Sequence, residues 1–219
     1  MANKTYNQYC ALAHALDIVG ERWTLLIVRN LMVGPKRFSD LLKGLPGIST
    51  NILTDRLKSL EENGVVINRY LPPPAASSVY QLTRLGFGLG MPLAALAKWG
   101  AYSFKEADQK VVPESVMFMI LGMFWREQAE DIDLTCNVHV ADERHDHNYW
   151  VHLSSDNVKF LEAHSDAADV TLHLALQPLH RLSGEQISFQ SAIEQGLVQL
   201  DGEQSNIDKL VAWINEHLE

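Results

Sequence analysis

Residues 20–82 read GERWTLLIVRNLMVGPKRFSDLLKGLPGISTNILTDRLKSLEENGVVINRYLPPPAASSVYQL, and this stretch decides the fold of the first half of the chain. Its first segment is apolar nearly all round and ends at Gly34-Pro35, which predicts a buried helix. Ser39 and Ser49 stand where the N-caps of two further helices are expected, and β-forming segments on either side of PPPAASS predict a hairpin. The predicted elements are helices at 23–33, 40–45 and 50–63 and strands at 65–71 and 79–82. Three helices followed by a hairpin is the element order of a winged helix-turn-helix.

The third predicted helix carries the residues expected to read DNA. Its apolar residues recur at helical spacing and are expected to face the core, namely Ile52, Leu53, Leu57 and Leu60. In a helix-turn-helix the second helix of the motif lies in the major groove, where polar side chains reach base edges and basic side chains reach phosphates. The predicted DNA contacts are Lys36, Arg37, Ser49, Thr50, Asn51, Thr54, Arg56, Lys58 and Arg69, with Ser77 and Ser78 in a wing over residues 72–78. Helical modules with a hairpin also serve as protein-interaction domains, and the pattern alone leaves that alternative open.

From residue 9 to about residue 104 the chain resembles the HxlR family of bacterial winged-helix regulators, relatives of the MarR type. The stretches that carry the resemblance are YCALAHALDIVGERWTLLIVRNL, GPKRFSDLL, LPGISTNILTDRLKSLEENGVV and VYQLTRLG followed by LAKWG. The resemblance implies a homodimeric DNA-binding transcription regulator with a palindromic operator. It also implies dimer contacts from the N-terminal helix and from the helix after the wing, where Pro92 predicts a break near residues 90–91.

Cys10 stands at the predicted start of the first helix, where helix N-termini favour the thiolate form. The family resemblance implies that a cysteine near this place senses oxidants or electrophiles. The chain departs from the family pattern here, because Ala11 follows Cys10 where relatives often have proline. Cys10 is therefore a candidate redox sensor, and the alternative is a small buried apolar residue.

Charge is divided unevenly along the chain, whose net charge is −9. Residues 1–110 carry 13 Lys and Arg against 8 Asp and Glu, and residues 111–219 carry 5 against 19. The first part, at +5, suits a polyanion such as double-stranded DNA, whereas the second, at −14, would be repelled by one. We therefore predict two domains, a winged-helix DNA-binding and dimerisation domain at 1–110 and a second domain at 111–219. The polar stretch FKEADQKVVPES is the expected boundary.

The second half predicts an α+β domain, in which an antiparallel sheet is covered by helices on one side. The stretches ADVTLHL, SFQSAIEQGLVQLDGE and NIDKLVAWI resemble the sterol carrier protein type 2 fold. That resemblance implies an apolar tunnel for lipids or other hydrophobic molecules, and Met and aromatic side chains adapt well to such ligands. The predicted lining is Val116, Phe118, Met119, Leu121, Met123, Phe124, Trp125, Phe189, Ile193 and Leu197. Plain core packing is the alternative for the same residues.

Three histidines of the second half, His139, His152 and His173, lie between apolar neighbours in predicted strands, so alternation places them on the opposite, polar face. A turn about residues 145–146 would put His139 directly opposite His152. Zinc binding is the alternative interpretation, but the spacing is no recognised zinc signature and the expectation is no metal site.

Enzyme motifs give no support for catalysis, since the sequence contains no Gly-rich phosphate loop, no G-x-S-x-G and no HExxH. The longest apolar run, residues 116–125, is shorter than the roughly 20 residues that cross a bilayer, and two distant cysteines fit a reducing cytoplasm. We therefore expect a cytoplasmic, dimeric DNA-binding regulator with no cofactor, possessing a C-terminal domain for a hydrophobic effector or for assembly. The rivals are a lipid carrier whose winged domain only mediates dimer or protein contacts, and an enzyme with an unusual site.

Overall fold

The computed structural model describes residues 5–72, 76–101, 103, 112–124, 132–141, 143, 146–154 and 157–215. The chain divides into two compact units, Met1–Leu93 and Ala94–Glu219. This division falls inside a helix and earlier than the predicted boundary after residue 110. Most of the predicted linker lies outside the described residues, so the domain boundary stays a prediction.

The first unit is built from helices and one hairpin, in the order expected of a winged helix-turn-helix. Its elements are α1 (Ala11–Val19), α2 (Thr24–Met32), α3 (Phe38–Lys43), α4 (Thr50–Glu62), β1 (Val66–Leu71), β2 (Ser77–Leu82), α5 (Arg84–Phe87) and the first residues of α6 (Gly90–Ala101). β1 and β2 pair antiparallel, with Val66 opposite Leu82 and Leu71 opposite Ser77. Lys36 adds a short antiparallel bridge to Tyr80, which ties the turn before α3 to the hairpin.

Helix α4 begins and ends where its capping residues dictate. The Ser49 hydroxyl accepts a hydrogen bond from the Ile52 N–H at 3.3 Å and so satisfies one of the unpaired donors of the first turn. At the other end, Gly64 adopts a φ of +68°, a conformation that glycine takes without strain. Leu53, Leu57 and Leu60 are buried, as expected. Ile52 is different, because 38% of it is exposed and it lies outside the core.

The N-terminus of α3 differs from the sequence expectation. The helix begins at Phe38 with Arg37 as its N-cap, whereas the sequence predicted a helix at 40–45 capped by Ser39. Asp40, rather than Ser39, closes the first turn, since its carboxylate accepts the Arg37 N–H at 3.2 Å. The predicted break in the helix after the wing lies between Phe87, where α5 ends, and Gly90, where α6 begins. Pro92 therefore lies in the first turn of α6, where a missing N–H costs little.

The second unit joins a five-stranded sheet to helices. It continues α6 and contains α7 (Pro113–Phe124), β3 (Asp133–Ala141), β4 (Asp146–Ser154), β5 (Asn157–Leu161), β6 (Val170–Leu174), α8 (Leu176–Ser183), α9 (Phe189–Glu194), β7 (Val198–Gly202) and α10 (Gln204–Asn215). The strand order is β5-β4-β3-β6-β7. The predicted α+β class is confirmed, with one difference in detail: β3 and β6 pair in parallel, while the other neighbours pair antiparallel.

The sheet has a buried face and an outer face. Residues of the buried face alternate along each strand and are almost inaccessible, for example Val138, Val151 and Leu172. The outer face carries polar side chains that are mostly half-exposed. The connection from β5 to β6 passes over this face, because the amide of Asn137 on β3 donates to the Ser165 carbonyl and accepts from the Ser165 N–H. Of the helices in the described residues, none is long and apolar enough to cross a membrane.

Candidate nucleic-acid interface

The outer face of α4 presents the polar residues that the sequence singled out. Thr50, Asn51, Thr54 and Lys58 are all exposed. Two of the predicted base-contacting hydroxyls also serve the helix itself, since Ser49 caps it and Thr54 donates to the Thr50 carbonyl at 2.9 Å. Asn51 lies in the first turn, which is the part of a recognition helix that meets base edges. An exposed amide at this position can donate and accept at once, as adenine recognition requires.

Arg56 is held within the protein. Its Nη2 lies 3.0 Å from the Glu21 Oε2 in the turn between α1 and α2, and only 26% of the side chain is exposed. Its Nε is buried and has no hydrogen-bond partner within the described part of the chain. Lys58, one half-turn further, is exposed and approaches Glu62 only at 3.8 Å. The geometry thus separates two basic residues that the sequence grouped together: Arg56 pairs with Glu21 of its own unit, and Lys58 extends into solvent.

The hairpin and the turn before α3 are joined by polar contacts. The Arg37 Nε donates to the Ser77 hydroxyl at 3.1 Å, and the Ser78 hydroxyl donates to the Asn68 side chain. Both wing serines are therefore engaged inside the protein. Arg69 is exposed on β1, and Lys36 is half-exposed at its bridge to Tyr80. Residues 73–75, at the tip of the predicted wing, lie outside the described residues.

The two cysteines lie in opposite environments. Cys10 is exposed and is the N-cap residue of α1, although its thiol makes no capping hydrogen bond. Cys136 is buried in β3, and burial, together with the charge of Asp169, raises the pKa of its thiol to about 12. A buried protonated thiol is a poor nucleophile. Of the two, Cys10 is the one placed to meet a reagent from solvent.

The structure describes the burial of only some of the predicted ligand-lining residues. Val116 and Phe189 are fully buried, whereas Phe118, Met119, Ile193 and Leu197 are half-buried. Leu121, Met123 and Phe124 belong to α7, and Trp125 lies outside the described residues. Sequence reasoning missed Tyr149 of β4. Its ring is fully buried, burial raises the pKa of its hydroxyl, and that hydroxyl has no hydrogen-bond partner in the described ranges.

The outer-face histidines are arranged differently from the sequence expectation. His139 stands opposite Asn148 and His152 opposite Thr135, so the predicted His139–His152 pair is wrong. The β3–β4 turn is centred two residues earlier than expected, with Ala141 opposite Asp146, and this shifts the register. His139 instead meets His173 of the neighbouring parallel strand, at 3.2 Å between their Nδ1 atoms. Among the described residues, no three or more His, Cys, Asp or Glu side chains are grouped so that together they hold a metal ion.

Two protein-family models match this chain, one in its basic first half and the other in its acidic second half. Residues 18–108 match the family model of the HxlR-like helix-turn-helix, and residues 126–217 match that of the alkyl sulfatase C-terminal family. The sequence resemblance of the second half to sterol carrier protein type 2 is therefore not confirmed, and what the comparison supports is similarity to the alkyl sulfatase C-terminal family.

Curated relatives and solved structures match the first half. The chain is 37% identical over 100 residues to the HTH-type transcriptional regulator YodB of Bacillus subtilis, covering 46% of this chain and 88% of YodB. It is 40% identical over 85 residues to the B. subtilis HTH-type regulator YvaP, covering 39% of this chain and 79% of YvaP. The structure of reduced YodB aligns at 35% identity over 47% of this chain and 100% of that one, with a TM-score of 0.39. The oxidised form of the redox regulator HypR aligns at 26% identity over 45% and 100%, with a TM-score of 0.41.

The sequence relatives YodB and YvaP carry the names of HTH-type transcriptional regulators, and the region of this chain that matches the family model contains the exposed polar face of α4 and the hairpin. Identity above 30% extends over most of the length of YodB. The chain therefore belongs to the HxlR-like helix-turn-helix family of transcriptional regulators.

Proposed function

We propose that this protein is a cytoplasmic transcription regulator that binds a palindromic operator as a homodimer and reads it with α4. The observation that carries the proposal is the division of α4 into two faces. Leu53, Leu57 and Leu60 anchor one face in the core, while Thr50, Asn51, Thr54 and Lys58 are polar and exposed outside it. A buried anchor with an open polar face is what a helix needs in order to enter a major groove without unfolding its domain.

The roles of the contacting residues follow from their exposure and bonding. Asn51 is the proposed reader of a base edge, with Thr50 beside it. Lys58 and Arg69 are the proposed phosphate contacts because both are exposed basic residues. Arg37, whose Nε donates to the Ser77 hydroxyl, is an exposed basic residue beside the wing and a further proposed phosphate contact. Arg56 pairs with Glu21 and is proposed as a weaker phosphate contact, because only 26% of its side chain is exposed.

Apolar surface that is exposed among the described residues supports the homodimer. In the first unit, Tyr9, Leu12 and Leu16 are exposed along the start of the chain and α1. On α6, Met91, Leu96 and Trp99 are exposed, and Trp99 is 74% accessible. Apolar side chains grouped on a helix in this way mark interaction sites. Half-sites about one helical turn of DNA apart would match the twofold symmetry of such a dimer. Sedimentation that gives a monomer at micromolar concentration would contradict this part of the proposal.

The decisive experiment separates base reading from phosphate contact. An operator is first selected from random duplex DNA with the full chain, and affinity is then measured by fluorescence anisotropy at several salt concentrations. Asn51→Ala is expected to weaken binding to the selected site by about 1–3 kcal/mol, roughly 5- to 150-fold, with little effect on unrelated DNA. Lys58→Ala is expected to weaken both DNAs alike and to reduce the salt slope by about one.

Lys159 provides the matched control, because it is an exposed basic residue on β5 of the acidic second unit. Lys159→Ala is expected to leave affinity and salt slope unchanged. If Asn51→Ala binds the selected operator as tightly as the wild type, or if no sequence is enriched in the selection, α4 is not the reading helix. The winged domain would then serve protein contacts, which is the rival interpretation.

We infer a second role, control of operator binding by modification of Cys10. The supporting observation is that Cys10 is exposed at the N-cap of α1, while Cys136 is buried. Structures of the sequence relative YodB include quinone-bound and diamide-treated forms, which makes a quinone and diamide suitable probes. The Cys10 thiolate would add to a ring carbon of the quinone, or two Cys10 thiols would form a disulfide as diamide takes up their two electrons and two protons.

The test of this second role is operator affinity before and after each reagent. The wild type is expected to change affinity at least tenfold after modification, and Cys10→Ser is expected to remain unaffected. Equal responses of the two proteins would assign the effect to another group and would remove Cys10 as the sensor.

For the second unit we propose a hydrophobic effector, held among Val116, Phe118, Phe189 and their neighbours. The buried Tyr149 hydroxyl, which lacks a partner among the described residues, supports this, since a buried polar group without a partner is costly and a ligand could satisfy it. Native mass spectrometry of the purified dimer tests the proposal. A discrete mass released on unfolding, and reduced in Tyr149→Phe, is the expected result. An unliganded dimer whose operator affinity no lipid extract alters would leave this unit with a role in assembly.

A further inference from the structure

Four side chains on the outer face of the second unit form a line across four neighbouring strands. Asp146 Oδ1 lies 3.0 Å from His139 Nε2, the two histidine Nδ1 atoms lie 3.2 Å apart, and His173 Nε2 lies 3.0 Å from Asp201 Oδ2. The strands in order are β4, β3, β6 and β7. The histidine rings are nearly perpendicular, at 89°, with centroids 5.4 Å apart. Neither the DNA-binding face nor the apolar core uses these residues.

The partners of the two rings decide where their hydrogens lie. An ionised carboxylate only accepts hydrogen bonds, so His139 carries its hydrogen on the Nε2 that is hydrogen-bonded to Asp146. A neutral imidazole has only one N–H, so His139 Nδ1 presents a lone pair to His173 Nδ1 across 3.2 Å. That lone pair accepts either the hydrogen of His173 Nδ1 or a cation placed between the two nitrogens. Because His173 Nε2 lies 3.0 Å from Asp201 Oδ2, the nearby carboxylate favours the tautomer that moves the His173 hydrogen to Nε2 and leaves its Nδ1 available to a cation.

We propose that His139 and His173 bind a divalent transition-metal ion of the zinc class through their Nδ1 atoms. Zinc lies about 2.0–2.1 Å from imidazole nitrogen, so one ion displaced toward solvent from the line between the nitrogens reaches both of them. Across the observed 3.2 Å the N–metal–N angle is about 100°, close to a tetrahedral value. Small rotations of the two rings, about a third of each exposed, would aim both lone pairs at the ion.

The aspartates supply the second element of the site. Histidines that bind metals usually donate their other N–H to a carboxylate, which fixes the tautomer and raises the basicity of the binding nitrogen. Asp146 is hydrogen-bonded to His139 in this way, and Asp201 Oδ2, on a different strand, lies 3.0 Å from His173 Nε2. Their charges also favour a cation on this face. Two protein ligands leave the remaining coordination positions to water or to a small ligand, so the ion is held less tightly than in a four-ligand structural site.

His152 is a matched control on the same face. Its Nε2 lies 2.7 Å from Asp133 Oδ1, so it too has an aspartate carboxylate next to its Nε2. Its neighbouring ring is Trp150, at 5.9 Å between centroids, rather than a second histidine. A single imidazole with a carboxylate behind it should bind a metal ion far more weakly than two converging ones. Nonspecific metal binding by surface histidines would weaken equally in variants of His139, His152 and His173.

The test is metal titration of the full chain without an affinity tag, after treatment with a chelator. Co²⁺ is added first, because its visible absorption reports the coordination geometry, and Zn²⁺ is then used to displace it in a calorimetric titration. One ion per chain is expected. His139→Asn and His173→Asn are each expected to weaken binding at least tenfold, while His152→Asn retains it. Asp146→Asn and Asp201→Asn are expected to weaken it about tenfold, as loss of an outer partner does.

A measurement on the wild type makes the test independent of whether a variant folds. In ¹⁵N spectra of the histidine side chains, Zn²⁺ is expected to shift the Nδ1 signals of two histidines and to leave the others unchanged. The proposal is overturned if neither ion binds, or if binding survives in the folded His139→Asn/His173→Asn double variant. In either case a hydrogen bond between the two Nδ1 atoms, and not a metal, completes the line.

Discussion

The outer face of α4 and the outer face of the C-terminal sheet are both polar surfaces on a scaffold with a buried opposite side, yet they are organised differently. On α4, polar contacts join residues three or four positions apart, as in Ser49 with Ile52, Thr54 with Thr50 and Lys58 with Glu62. On the sheet, His139 and His173 meet although 34 positions separate them. The helix sets its own neighbours, whereas strand order sets those of the sheet. The sequence therefore predicts which side chains lie together on the helix, but it does not predict which lie together on the sheet.

The largest expected contrast between the two units is in thiol reactivity. In the folded chain, Cys10 should react with a thiol reagent as fast as a solvent-exposed thiol. Cys136 should react at least about 10³-fold more slowly, because its unit must first open. The raised pKa of the buried Cys136 thiol adds to that protection. Mass spectrometry of time points would show one rapid adduct in the wild type and none in Cys10→Ser. Two rapid adducts would mean that the second unit opens readily.

Within α4, Leu57→Ala should reveal how much of the first unit depends on the helix. The side chain is 1% exposed, so truncation is expected to cost about 2–5 kcal/mol of unfolding free energy. Ile52→Ala on the same helix is the matched control and should cost less than about 1 kcal/mol, since Ile52 is partly exposed. Chemical denaturation followed by circular dichroism measures both. Equal costs would show that the two faces of α4 are not distinguished by burial.

A smaller effect on stability is expected where β6 begins beside β3. There Asp169 accepts hydrogen bonds from the Thr135 hydroxyl at 2.6 Å and the Thr135 N–H at 2.7 Å. These bonds lower the pKa of Asp169 below its ordinary 3.8. Because the folded pKa is the lower one, the stabilisation is present above pH 3.8 and is lost as pH falls through the folded pKa. Asp169→Asn should cost about 1 kcal/mol at neutral pH.

The measurement for Asp169 is native-state hydrogen exchange of the β3 and β6 amides in both proteins. The difference between wild type and Asp169→Asn should narrow when the pH is lowered from 7 to 3. A difference that stays constant over this range would indicate that the neutral side chain is as good a partner for Thr135, and the charge would then contribute nothing.

The smallest effect is expected at the ion pair that holds α4. Glu21→Gln removes the charge opposite Arg56, but Glu21 is 61% exposed, so water screens the pair and the cost should stay below about 1 kcal/mol. Glu62→Gln, which faces the exposed Lys58 at 3.8 Å, should cost even less. A loss above about 2 kcal/mol in Glu21→Gln alone would show that Arg56 is a structural charge of the first unit. Denaturant midpoints measured side by side decide this.

Most of the first unit could be predicted because its signals are local. Ser49 before an apolar repeat, Gly64 after it and the hairpin-forming segments specify α4 and its neighbours within a few residues. One exception is a choice between neighbouring candidate caps, and the other is a contact with a residue far away in sequence. Arg37 caps α3 instead of Ser39 because Asp40 bonds to its N–H, and Arg56 turns to Glu21, 35 positions away in sequence.

The sequence by itself determined the division of charge, the helices and strands, and the family to which the first half belongs, since composition, capping and hydrophobic period act over short distances. Strand alternation likewise placed His139, His152 and His173 on one face. Only the tertiary structure decided which of these histidines meet. The turn position sets the β3–β4 register, and the path of the chain after β5 brings β6 beside β3 in parallel. Both depend on how the buried faces pack together, and no local pattern encodes that packing.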